Sequence, residues 1–130
     1  MSDNFNLEII SPSNTLISSE VNEVIIPAFE GLMTILKDHI SLITFLRPGF
    51  VEAEIKNQKE KFFVEEGTVE FNNNKLLILS SSVKNIKNFT QDEIKTLLDK
   101  SREDYNNNQI NDKEKYILSY KLETLKEITR

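Results

Sequence analysis

The sequence predicts an α+β protein: an N-terminal antiparallel β-sandwich, of the flattened-barrel kind, over residues 1–86, then an antiparallel two-helix hairpin over residues 87–130. Three observations carry this expectation. Up to Val83, apolar residues recur with a period of two in short runs separated by turn residues. Beyond Val83 the period lengthens to about 3.6, and each apolar segment follows a helix-start signal. A polar reversal, Asn106-Asn107-Asn108-Gln109, divides those two segments.

Element by element, Phe5, Leu7 and Ile9 alternate with Asn6 and Glu8 as a half-buried strand does. A second strand is expected over Val21 to Ile26, ended by Pro27. Gly31 provides for a tight surface turn before a pattern through Leu32, Ile35 and Leu36. The apolar pair Leu32-Met33 beside that turn either tucks into the core or offers a contact. An apolar run from Ile40 to Leu46 stops at Arg47-Pro48-Gly49, a turn signal. Val51, Ala53 and Ile55 then lie on one face, with Glu52, Glu54 and Lys56 on the other. A reversal at Asn57-Gln58-Lys59 leads into Phe62-Phe63-Val64, and Glu66-Gly67 into the alternating Val69 and Phe71. Asn72-Asn73-Asn74 marks a further turn, because asparagine tolerates the left-handed conformation, and Lys75 to Leu79 closes the series.

The helical part opens on a capping box, Thr90 to Glu93, with Phe89 and Ile94 placed as a hydrophobic staple. A helix is expected from about Gln91 to Tyr105, with Ile94, Leu97, Leu98 and Tyr105 on its apolar side. Asn111 and Glu114 repeat the cap spacing for a second helix ending near Thr129 and lined by Leu118, Leu122 and Leu125. Two helices with one narrow stripe each bury too little to stand alone. They must lean on the strands, or on another protein.

Composition excludes several classes. With 38% hydrophobic and 28% charged residues the chain sits in the globular range. It has no long apolar run or secretory signal pattern, so a cytoplasmic protein is expected. With no cysteine and one histidine, disulfides are excluded and no metal site is expected. Residues 1–83 carry 6 basic and 12 acidic side chains, and residues 84–130 carry 10 and 9. An acidic front without a basic stripe argues against nucleic-acid binding.

Catalysis finds little support. Asp38, the acid next to His39, would point to the opposite side of a strand, and so would Glu65 relative to Glu66. Gly31, Gly49 and Gly67 belong to no phosphate-binding pattern, and no cofactor is expected. A binding or structural role is left, either within a larger assembly or as a stand-alone β-sandwich module; a small hydrolase lacks any credible constellation.

The segment Glu30-Gly31-Leu32-Met33-Thr34-Ile35-Leu36-Lys37-Asp38-His39-Ile40-Ser41-Leu42, followed by Arg47-Pro48-Gly49, resembles the hallmark stretch of bacterial F-type ATP synthase epsilon subunits. That stretch reads roughly E-G-x-x-G-I-L-P-x-H-x-P-L and then P-G. Phe5 to Ser11, Phe62-Phe63-Val64 to Gly67-Thr68-Val69-Glu70, and Leu76 to Leu79 also resemble the family in order and spacing. Thr34, Lys37 and Ser41 depart from it, standing where glycine and two prolines are usual. The resemblance implies a non-catalytic rotor subunit of the proton-translocating synthase, peripheral on the cytoplasmic face of the inner membrane and held there only through the complex. It implies gamma and the c-ring as partners of residues 1–86, with Glu30, Gly31, Leu32, Asp38, His39 and Ile40 on ring-facing loops. It further implies that residues 87–130 extend into the alpha and beta subunits to inhibit ATP hydrolysis, with Lys95, Lys100, Arg102, Lys113, Lys115, Lys121 and Lys126 as the charges they present. Lys95 and Thr96 occupy the places of Arg and Ala in the family's ATP-sensing motif, which argues against ATP binding here.

Overall fold

The computed structural model describes residues 3–128. Ten strands form one continuous sheet: β1 Phe5–Ile10, β2 Thr15–Val21, β3 Glu23–Ala28, β4 Gly31–Ile35, β5 Leu42–Leu46, β6 Gly49–Ile55, β7 Gln58–Val64, β8 Gly67–Asn72, β9 Lys75–Leu79 and β10 Lys84–Asn85. A 3-10 turn at Ile86–Asn88 leads into α1 Gln91–Tyr105 and α2 Asp112–Ile128. The strand order is β10-β7-β6-β3-β5-β8-β9-β1-β2, with β4 beside β3. Neighbours are antiparallel except β1 and β9, which run parallel in the register Leu7 to Leu76 and Ile9 to Ile78. Curling brings β2 against β6, so the sheet closes into a flattened barrel over its own apolar face.

Alternation along each strand decides what goes inside. Leu7, Ile9, Val21, Val24, Ile26, Ile35, Val51, Val64, Val69, Phe71, Leu76 and Ile78 belong to a single core with contributions from nine strands. Two hairpins turn on left-handed pairs, Lys56-Asn57 (φ 52° and 64°) and Asn73-Asn74 (52° and 59°), whose twist suits two-residue loops. The first of these lies one residue earlier than the Asn57-Gln58-Lys59 reversal, because Gln58 already pairs with Ile55. Gly31, at φ 136°, opens β4 after the turn at Phe29-Glu30.

Three expectations need correcting. Val21 closes a separate strand, β2, in which the adjacent Leu16 and Ile17 break the apolar alternation: Ile17 packs on the core and Leu16 is exposed. Pro27 does not end β3: it lies opposite Leu32, and its carbonyl accepts the Arg47 N–H at 2.9 Å. The chain from Leu36 to Ser41 is a loop, so the strand of the Ile40–Leu46 run begins at Leu42.

A second core sits between β7 and the helices. Phe62 points into the barrel, whereas Phe63 points out beneath the hairpin, among Ile94, Leu98 and Leu125. Adjacent strand residues that are both buried require a layer on each side of the strand. The hairpin is that layer. The capping box is complete: Thr90 Oγ1 accepts from Glu93 N at 3.1 Å, and Glu93 accepts from Thr90 N at 3.2 Å. Phe89 and Ile94 both join the second core, as a staple does. Asn111 Oδ1 accepts from Glu114 N at 2.8 Å to start α2, while the expected end near Thr129 lies outside the described residues. Leu122 and Leu125 pack in this core; Leu118 is half-buried outside it.

Candidate functional site

β5 is apolar on both faces. Leu42 packs on the core and Leu46 is buried in it, while Ile43 and Phe45 point outward, 77% and 56% exposed. Register extends this outer face across the sheet: Phe45 lies opposite Thr68, which lies opposite Leu79, itself 44% exposed and beside Ile10. Ile43 leads in the same way through Glu70 to Leu77. The result is an exposed patch in which Ile43, Phe45 and Leu79 flank the polar Thr68 and Glu70, a mixed face on paired strands of the form a partner covers. Its signal was present in the run Leu42 to Leu46, apolar at every position but Thr44. A strand apolar on both faces needs two coverings, and the core supplies one.

The loop residues singled out from sequence fall into two sets. Glu30, Gly31 and Leu32 sit at the β3–β4 turn, where Glu30 accepts from Thr44 Oγ1 at 3.3 Å and Leu32 is 72% exposed. Leu32 presents itself to solvent, and Met33 packs on the core. Asp38, His39 and Ile40 lie in the β4–β5 loop. This loop is tied to the β8–β9 turn: Asn74 Oδ1 accepts from Asp38 N at 2.6 Å, and Asn74 Nδ2 donates to Asp38 Oδ1 at 2.9 Å. The His39 ring stands edge-on to Phe71, with Nδ1 2.8 Å from the Ile40 carbonyl oxygen, and Ile40 is exposed. The two sets lie at opposite ends of β4, whose length is roughly 13 Å by strand rise.

Of the seven hairpin cations singled out from the sequence, six are exposed: Lys95, Lys100, Arg102, Lys113, Lys115 and Lys126. Arg102 is 3.8 Å from Asp99, and Lys115 stands over the Tyr105 ring. Lys121 differs. Its side chain is 17% exposed and ion-paired with Glu65. Beside it, the Arg47 guanidinium lies over the Tyr120 ring, 3.9 Å from its centre. Neither contact is visible in periodicity, since each joins the hairpin to a distant strand end.

The acids have separate partners. Asp38 faces Asn74 and not His39, Glu65 pairs with Lys121, and Glu66 accepts from Ser81 Oγ at 2.6 Å. The strand geometry expected for both pairs gives way to turns, yet the members of each still diverge. Among the described residues, no group of three or more His, Asp or Glu side chains could hold a metal ion.

Residues 4–86 match the family model for the ATP synthase Delta/Epsilon chain β-sandwich domain. The ATP synthase epsilon chain of Pelagibacter ubique is 46% identical over 127 residues, spanning 97% of this chain and 98% of that one. The chain belongs to the ATP synthase epsilon-subunit family. The epsilon chain of Allorhizobium ampelinum is 36% identical over 71% of this chain and 69% of its own. In fold, this epsilon-family chain is similar to one in the mitochondrial ATP synthase of Euglena gracilis, solved as an OSCP/F1/c-ring assembly (TM-score 0.76, 16% identity, 99% and 81% coverage). It is similar also to one in the central stalk and c-ring of the Tetrahymena thermophila enzyme (TM-score 0.62, 14% identity, 96% of each chain).

Proposed function

We propose that the chain is a non-catalytic rotor subunit of a proton-translocating ATP synthase. On this reading, residues 1–86 form the unit that seats on gamma and faces the c-ring, and residues 87–130 form a regulatory hairpin. The observation that carries the reading is the outward set Ile43, Phe45 and Leu79, which stays uncovered although the hairpin packs elsewhere, on Phe63. Gamma is the partner assigned to it. A rotor subunit transmits torque and makes no bonds, which suits a rigid barrel.

Glu30, Gly31, Leu32, Asp38, His39 and Ile40 are assigned to the c-ring. Because β4 separates the two sets, both meet one partner only if that partner extends along the strand, as a ring of repeated loops does. The exposed hairpin cations are assigned to acidic surfaces of alpha and beta in an extended, hydrolysis-inhibiting state. Individually such pairs contribute roughly 0–1 kcal/mol, so they act together. Lys121 must leave Glu65 before it can join them. Among the described residues no helix is long and apolar enough to cross a membrane, so attachment to the cytoplasmic face of the inner membrane is assigned to the complex.

Co-purification with gamma from the same organism tests the reading. The natural chain is expected to bind, and an Ile43→Glu, Phe45→Glu double variant to lose binding by roughly a hundredfold while keeping its thermal midpoint, because two carboxylates must then be desolvated. If the natural chain fails to bind, the stand-alone β-sandwich module takes its place.

A further inference from the structure

We infer that Arg47 and Glu65 form a two-point latch that holds α2 against the sheet. The inference rests on reading the hairpin as an element with two positions, and it names what sets the balance between them.

The apolar contact between hairpin and sheet is narrow. Among the described residues, the buried members of the second core are Phe63 from the barrel and Ile94, Leu98 and Leu125 from α1 and α2. A helix pair docked on one aromatic ring is held weakly, so polar contacts at the same interface decide how often it leaves. Two that hold α2 come from consecutive residues. Tyr120 takes the Arg47 guanidinium on its face, and Lys121 pairs with Glu65. Consecutive helix residues point about 100° apart, so the two contacts restrain both the position of α2 and its rotation about its axis.

Both anchors are fixed from the sheet side. The Arg47 N–H donates to Pro27 O at 2.9 Å, and Gly49, two residues on, approaches Pro27 so closely that a Cβ there would lie 2.6 Å from the proline Cβ. The Glu65 N–H donates to Ser82 Oγ at 3.0 Å. Arg47 Nε is buried without a hydrogen-bond partner, so the guanidinium is partly desolvated where it meets the ring. Cation–π attraction is larger under that condition than at an exposed site. On the helix, Tyr120 is oriented by Tyr116, whose ring meets it edge-on at 4.9 Å and whose hydroxyl lies 3.1 Å from its own. α1 is held separately, by the Lys84–Glu93 ion pair and by Phe89 against Phe63. Loss of the latch therefore frees α2 before α1.

Amide hydrogen exchange on the full isolated chain tests this. Arg47→Met keeps the side chain's apolar stem and removes the cation, and Glu65→Gln keeps the shape and removes the charge. Each is expected to speed exchange at Leu122 to Leu125 severalfold, and the double variant by roughly tenfold or more, with Val51 and Ala53 unchanged. Tyr120→Phe, which retains the ring, should stay near the natural chain. Unchanged exchange in α2 of the double variant would overturn the latch. Equal acceleration in the barrel would also overturn it, since the two residues would then be holding the whole fold. The measurement needs no partner subunit, so failure here leaves gamma binding untouched, and failure to bind gamma leaves the latch standing.

Discussion

Single residues settle most of the local geometry, and the corner from Pro27 to Gly49 shows how. Pro27 fills the space where a Gly49 side chain would begin, its Cβ and Cγ lying 2.6 and 3.0 Å from the point a Cβ on Gly49 would occupy. A proline ring cannot swing away as a flexible side chain can. Gly49→Ala is therefore expected to destabilise the protein by about 1–3 kcal/mol, seen as a lower urea midpoint with an unchanged slope. The turn at Arg47-Pro48-Gly49 was legible in the sequence from its residue types. That its glycine is required by a proline on another strand was not, because the two are far apart along the chain.

At the scale of elements, the start of α1 was the most legible feature. Thr90, Glu93, Phe89 and Ile94 announce it through spacings of a few residues, and the helix begins at Gln91 as expected. What spacing did not disclose is the ion pair from Lys84, which reaches Glu93 from β10. The Lys84 ammonium, and after it the Thr90 backbone N–H, hold the Glu93 carboxyl below its ordinary value of 4.5. A carboxyl with a depressed folded-state pKa contributes stability that is fully present above its unfolded value and lost as pH falls through the folded one. The thermal midpoint of Glu93→Gln should thus lie below that of the natural chain at pH 7. The gap should close as both are acidified well below pH 4.5. A gap that persists in acid would mean that Glu93 acts through shape and not charge. β2 was the least legible element: the adjacent Leu16 and Ile17 break the apolar alternation, and pairing with β1 makes it a strand.

The whole molecule is a barrel with its own core and a hairpin without one. Among the described residues, seventeen buried side chains from nine strands make up the first core, whereas the second depends on Phe63 from β7. A chain ending at Asn88 is expected to keep a cooperative unfolding transition. Residues 89–130 alone should show little helix, because each helix is close to the length at which isolated helices are marginal. Far-ultraviolet circular dichroism of both pieces checks this. A stable, helical fragment 89–130 would contradict the dependence on Phe63.

The class of fold, most of the strands, both helix starts and the family could be read from the residues in order. Those features are written in short-range pattern: alternation, 3.6-residue periodicity, caps and turn residues act between neighbours. Packing in three dimensions sets β1 parallel to β9, leaves Ile43 and Phe45 uncovered, and brings Arg47 and Glu65 to α2. Each of these depends on contacts between residues distant in sequence. Periodicity states which face of an element is apolar; closure of the sheet decides which of those faces meet.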